Sequence, residues 1–235
     1  MWTRELLKRN AKEIFKRNYW TCVGVSLVLA VLTGGGSSVI GRIGGNNTSV
    51  SYHHYGSDYY YGDSARGFVI SMVVVAVTLI VILAAIAFTI GGCSFFIKNR
   101  TMTGTFGNLL DGFKSGHYGN VVKTMFFYDL YIALWSLLLV VPGIIKSYEY
   151  RMVPYILAEN PGMDSKQVFE ISKRMMNGQK METFILDLSF IGWALVAGIT
   201  CGIAGVFYVA PYVNATNTEL YAFNKVQAYN EGYIR

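Results

Sequence analysis

Hydrophobic positions along this chain follow two patterns: short stretches where they recur every three or four residues, and long runs with no polar interruption. The recurring pattern opens the chain. Over residues 1–18, Leu7, Ala11, Ile14 and Phe15 fall on one helical face, with Arg4, Lys8, Lys12 and Arg17 around it and Thr3 placed as an N-cap. The pattern returns at 163–178, where Val168, Phe169, Ile171, Met175 and Met176 form the stripe. There Asp164 with Gln167 makes a capping-box start, and Asn177-Gly178 makes a stop. Both stretches are predicted as amphipathic helices lying at a membrane interface on its cytoplasmic side.

The uninterrupted runs predict membrane spans at 19–40, 68–97, 124–141, 143–158, 183–199 and 204–224. Tyr19 and Trp20 sit where an interfacial aromatic belt belongs. Residues 68–97 carry no charge and exceed the roughly 20 residues needed to cross a bilayer. Gly91 and Gly92 near their end permit close packing or a bend. The run at 124–141 ends at Pro142-Gly143, the expected turn of a helical hairpin whose short second arm is 143–158. A glycine-rich stretch at 198–205 divides the last two runs. Met152–Ala158 echoes Val209–Ala215, and each holds a proline. Pro142, Pro154 and Pro211 are therefore expected to bend or turn helices.

Charge orders these runs. Lys and Arg number 20 against 14 Asp and Glu, for a net charge of +6. In a chain with 53% hydrophobic and only 14% charged residues, that excess speaks of orientation in a membrane and not of nucleic acid. The composition excludes a secreted disulfide mini-domain, a disordered tail and a coiled coil. Six spans put 16 of the 20 basic residues on the cytoplasmic side, with Arg42 and Arg66 outside and Lys146 and Arg151 in the membrane. The expectation is an all-α polytopic transmembrane helical bundle, one membrane domain over 1–235, with six spans (alternatively four). It places the protein in the cell membrane as a multi-pass chain with both termini cytoplasmic. The N-terminal apolar run leads into Gly34-Gly35-Gly36 and lacks a cleavage pattern, so it reads as a retained span. Residues 41–66, rich in Gly, Asn, Ser and Tyr, read as an extracellular loop. Within it, Asn46 and Asn47 fit the N-x-S/T pattern, and His53-His54 among tyrosines reads as a solvated stretch with aromatic anchors. Cys22, Cys93 and Cys201 lie in apolar runs and read as buried structural thiols.

Ionisable groups inside a bilayer are costly, which makes Asp129, Lys146, Glu149, Arg151 and Asp187 the candidate polar site. Lys146 and Glu149 are three apart and share a helix face. Matching depth predicts an ion pair of Arg151 with Asp129 or Asp187. Tyr148, Tyr150 and Tyr155 would line a pocket there. Such pairs either fix helix packing or line a polar path. No catalytic motif, metal-ligand spacing or nucleotide loop is present, so no enzyme, metal or cofactor is expected.

The strings PGIIKSYEYRMVPYILAENP (142–161), SKRMMNGQK (172–180), LDLSFIGW (186–193) and PYVNAT (211–216), with the opening Met1-Trp2-Thr3-Arg4 and the NYW at 18–20, resemble the bacterial integral-membrane family called domain of unknown function 975. The resemblance spans nearly the whole chain apart from the tyrosine-rich loop. It departs at Gln179, where the family pattern leads one to expect a histidine. It implies a membrane protein of Gram-positive-type bacteria and supplies no mechanism. Two functions follow from the residues. One is a non-enzymatic transport component or accessory subunit of a membrane complex, with a membrane protein partner or a second copy of itself. The other is a lipid-interacting scaffold, with anionic lipids gathered at the N-terminal helix. An intramembrane enzyme ranks behind both, Asp129 and Asp187 being its only carboxylate pair.

Overall fold

The computed structural model describes residues 2–45 and 60–233, with side chains over 2–32 and 67–233. Regular structure among the described residues is entirely helical. Helix α1 (Arg4–Arg17) starts where Thr3 accepts a hydrogen bond from the Leu6 amide. Its apolar face, Leu7, Ala11 and Phe15, is buried. The partner of that face is the last helix, α11 (Ala210–Asn230), against which Phe15 meets Tyr208 at the approach to the helix. This corrects the expectation of a helix lying apolar side down on the membrane. An amphipathic stripe needs an apolar surface, and the protein itself supplies one. Arg4, Arg9, Lys12, Lys16 and Arg17 stay exposed.

Helices α2 (Tyr19–Gly45) and α3 (Tyr60–Asn99) run antiparallel: Asn99 donates to the Cys22 sulfur, and Gly92 lies against Leu29. Both run into the expected loop at 41–66 from its two ends. Asn46, Asn47, His53 and His54 lie outside the described residues. The first half of the described α3 presents Phe68, Ile70, Met72, Ile80 and their neighbours outward, whereas Ala87, Ile90, Phe95 and Phe96 are buried. Gly91 explains the change. The 3₁₀ turn Phe106–Leu110 crosses α3 so closely there that a Cβ on Gly91 would overlap the Leu109 carbonyl. The short helix α4 (Asp111–Lys114) follows, and Asp111 clamps it to α3 by accepting from Ser94 (2.7 Å) and Lys98 (2.7 Å), with Asn108 adding a third bond (3.0 Å). Burial would raise the Asp111 pKa, but these donors outweigh it and hold the carboxyl below its ordinary value.

Helix α5 (Tyr118–Leu138) and α6 (Val140–Glu149) form the expected hairpin, but the turn is a single extended residue, Leu139. Pro142 lies in the first turn of α6, and Gly143 is where that arm passes Ser136 of α5. The run 143–158 is not one helix. It breaks at Tyr150–Met152 and resumes as α7 (Val153–Glu159). A proline ring collides with the carbonyl four residues earlier, so Pro154 forbids a continuous helix through Tyr150. Pro154 occupies the first turn of α7, where the missing N–H costs nothing, whereas Pro211 follows closely on a π-helical stretch, Gly205–Val209. Pro154 begins a helix and does not bend it; Pro211 sits where the π-helical turns pass into the α-helix.

The second amphipathic helix, α8 (Ser165–Met175), is capped by Asp164 and stopped at Gly178, whose φ of 74° suits glycine. Val168 and Met175 are buried against the protein, so this helix too departs from the interfacial expectation. Helices α9 (Lys180–Leu188) and α10 (Ile191–Ile199) lead to a turn at Cys201 and Gly202, both with positive φ, and a π-helical stretch (Gly205–Val209) returns the chain to α11. Cys22 is buried as expected, Cys93 is half-buried, and Cys201 is exposed at this turn. Three helical stretches among the described residues are long and apolar enough to cross a membrane: Gly67–Asn99, Tyr118–Leu138 and Lys180–Ile199.

Candidate functional site

Breaking the helix at Tyr150–Met152 turns Arg151 away from α6 and toward α9 and α11. Its guanidinium grips Asp187 with both ends, Nη1 to Oδ2 at 2.6 Å and Nη2 to Oδ1 at 2.8 Å. Nη2 also donates to Asn217 of α11 at 2.9 Å, and the Tyr148 hydroxyl donates to Asp187 at 2.8 Å. The guanidinium carbon lies 5.5 Å from the Tyr148 ring centroid. Three helices, α6, α9 and α11, are thereby tied at one point by the turn that carries Arg151. A forked Arg–carboxylate pair is the geometry that fixes orientation best.

Next to it, Glu149 closes α6 with only 3% of its surface exposed. Lys146, one turn earlier, donates to Oε1 at 2.9 Å, and Lys180 from the start of α9 donates to Oε2 at 2.7 Å. Lys173 of α8 stands 4.0 Å away and is largely exposed. Ser172 donates to the Glu149 carbonyl at 2.9 Å. Three lysines thus surround one carboxylate, leaving the cluster net positive. Lys146 also lies 5.5 Å from the ring centroids of both Trp135 and Tyr150, a cation–π arrangement.

The remaining sequence candidates lie at the edge of these clusters or away from them. Asp129 is exposed on α5, with no hydrogen bond or ion pair among the described residues, and Arg151 takes Asp187 instead. Tyr155 stacks on Tyr221 at 5.3 Å, facing α11, and Tyr221 donates to Glu159. Tyr150 packs on Phe169 and not into the Arg151 cluster. A cleft of about 690 Å³ lies elsewhere, between Ser94, Lys98, Asp111, Lys114, Glu159 and Lys225. Lys98 and Lys225 there are already paired, with Asp111 and Glu159. No group of three or more His, Cys, Asp or Glu gathers among the described residues as metal ligands would.

Lys180, Lys173 and Asn217 were not among the sequence candidates. Their partners lie 31, 24 and 66 residues away along the chain, and no local spacing signals such contacts. Gln179, the departure from the expected histidine, accepts from the Trp2 indole at 2.7 Å and donates to Gln227 at 3.0 Å. It stitches the N-terminus to α11.

Comparison with known proteins adds one finding. The family model described as "Protein of unknown function (DUF975)" matches residues 72–225, more than half of the chain and inclusive of both charge clusters. No curated protein and no solved structure matches the chain.

Proposed function

The chain belongs to the DUF975 family, and from its charge clusters we propose that it is a non-enzymatic, multi-pass scaffold or accessory subunit of the cell membrane. In this reading a folded basic body sits on the cytoplasmic face, held in place by apolar hairpins. One observation carries it: of the ionisable groups of the apolar stretches, Lys146 pairs with Glu149 and Arg151 pairs with Asp187, and Lys180 and Asn217 extend these pairs across α6, α9 and α11. Closed networks of this kind hold helices in register. Both termini belong on the cytoplasmic side, because α1, residues 98–123, 159–182 and 225–235 share the basic residues. Six crossings or four preserve that parity, as does any even number. The exposed basic rim of α1 would draw anionic lipid by about 1 kcal/mol per nearby charge.

Substitution separates this reading from a transport component. Arg151→Ala and Asp187→Ala are each expected to lower the thermal stability and the yield of folded, detergent-extracted protein. Full yield with an unchanged Tm for both variants would overturn the scaffold assignment and point to a functional path. Asp129, exposed on an apolar helix and without an ion-pair partner among the described residues, is the one observation favouring that second reading.

A further inference from the structure

Besides the first half of the described α3, exposed apolar surface gathers at the ends of two hairpins. Around the Leu139 turn, Leu137, Leu138, Val140, Val141, Ile144 and Ile145 all face outward, with Leu137 86% exposed. At the Cys201 turn, Leu195, Ile199 and Ile203 do the same, with Ile199 84% exposed. A hairpin that crosses a bilayer emerges into water and carries polar residues at its tip. Neither of these does. Residues 137–145 read LLLVVPGII, and 199–206 hold only Thr200 and Cys201 besides glycine and apolar residues.

The depth of the charge clusters decides how far the tips can reach. From Val140 to Lys146 is seven residues, about 10 Å of helix. A hydrocarbon core is about 30 Å thick, so one leaflet contributes roughly 15 Å. With the Leu139 turn at the far surface, Lys146 and Glu149 would hang near mid-membrane. Lys173 lies 4.0 Å from Glu149 and is exposed, so it would drag α8, with Lys166 and Arg174, into the core as well. With Glu149 and its lysines at the near surface, the same turn reaches only the bilayer centre. Asp187, bound to Arg151 two residues beyond Glu149, sets the same level for the second hairpin. From Leu188 to Ile199 is about 18 Å, again well short of the core thickness. Residues 68–97, by contrast, form about 45 Å of uncharged helix and can cross outright.

We infer that the α5–α6 and α10–α11 hairpins enter the cytoplasmic leaflet and turn back inside it, so that their tips pack against lipid acyl chains and only α2 and α3 cross. This arrangement adds helical volume to one leaflet alone. It leaves Arg42 and Arg66 as the only basic residues beyond the membrane, with every other one of the 20 on the near side. The inference rests on the multi-pass reading above and replaces its later crossings with half-crossings.

Cys201 is a native probe, since it is exposed at one tip whereas Cys22 is buried. Intact membranes would be treated from each face with a membrane-impermeant maleimide, with Ser64→Cys as the outer control and Ser115→Cys as the inner one. Val140→Cys in a Cys201→Ala background reports the other tip, and Cys201→Ala alone gives the background signal. The expected result is no labelling of Cys201 or Val140→Cys from either face, and full labelling after detergent. Labelling of either tip from the outer face overturns the inference in favour of crossing hairpins. Labelling from the inner face places the tip in water and overturns it as well. A Cys201–Cys201 crosslink formed in intact membranes on copper-catalysed oxidation by oxygen assigns the tip to a second copy of the chain. Release of the protein by alkaline carbonate, or labelling of both controls from one face, would instead sink the multi-pass reading itself.

Discussion

At the scale of single residues, the molecule turns on which charges meet. The spacing of Lys146 and Glu149 made their pairing legible in the sequence, because residues three apart share a helix face. The choice of Asp187 over Asp129 for Arg151 was not legible, since both lie at similar depth along their runs. The break at Pro154 aims Arg151 at α9, and that is a tertiary fact. Removing Asp187 leaves the guanidinium, with 19% of its side chain exposed, facing only Asn217 and a tyrosine hydroxyl. Asp187→Ala is therefore expected to cost about 3 kcal/mol of stability, read as a lowered Tm of the purified protein. The paired change Arg151→Met with Asp187→Leu should recover much of that loss, because it removes both charges together. At Asp111 the sign runs with acid. Its carboxyl ionises below its ordinary value, so its clamp is complete above about pH 4 and is lost as pH falls further. Hydrogen exchange over residues 106–114 should quicken on that descent, and Asp111→Asn should abolish the pH dependence.

Elements show where a pattern underdetermines its partner. The stripes of α1 and α8 were visible as period-3.6 repeats, and both helices form with the expected Thr3 and Asp164 caps. Periodicity identifies an apolar face without naming what covers it. Here α11 covers α1. Phe15→Ala should thus destabilise the fold by about 3 kcal/mol, whereas replacing Arg4, Lys12 and Arg17 with Gln should change stability by less than about 0.5 kcal/mol. Chemical denaturation of both variants distinguishes a face buried in protein from one resting on lipid. Gly91 makes the complementary point. Alanine favours a helix over glycine by about 1 kcal/mol, yet Gly91→Ala should lower Tm, because the Leu109 carbonyl occupies the space a methyl group needs.

For the whole molecule, the partition between apolar ends and a polar, ion-paired body is the organising feature. Three stretches among the described residues are long and apolar enough to cross a membrane, yet length alone does not say that a helix crosses. The position of its nearest fixed charge does. Because Glu149, Lys173 and Lys180 come from α6, α8 and α9 and meet at one point, they fix the level of three elements at once. A reporter fused to the C-terminus should give a cytoplasmic signal, and one inserted at residues 46–59 should give the opposite.

The helical class, the apolar runs, both amphipathic faces and the excess of basic residues were determined by the sequence alone, because each depends on neighbours within a turn or two of the chain. Tertiary structure decided which surface covers the stripes, that Pro154 begins a helix, and that Arg151 meets Asp187 while three lysines meet Glu149. Those outcomes depend on competition between distant partners for the same buried surface or charge, and no local pattern of residues records who wins.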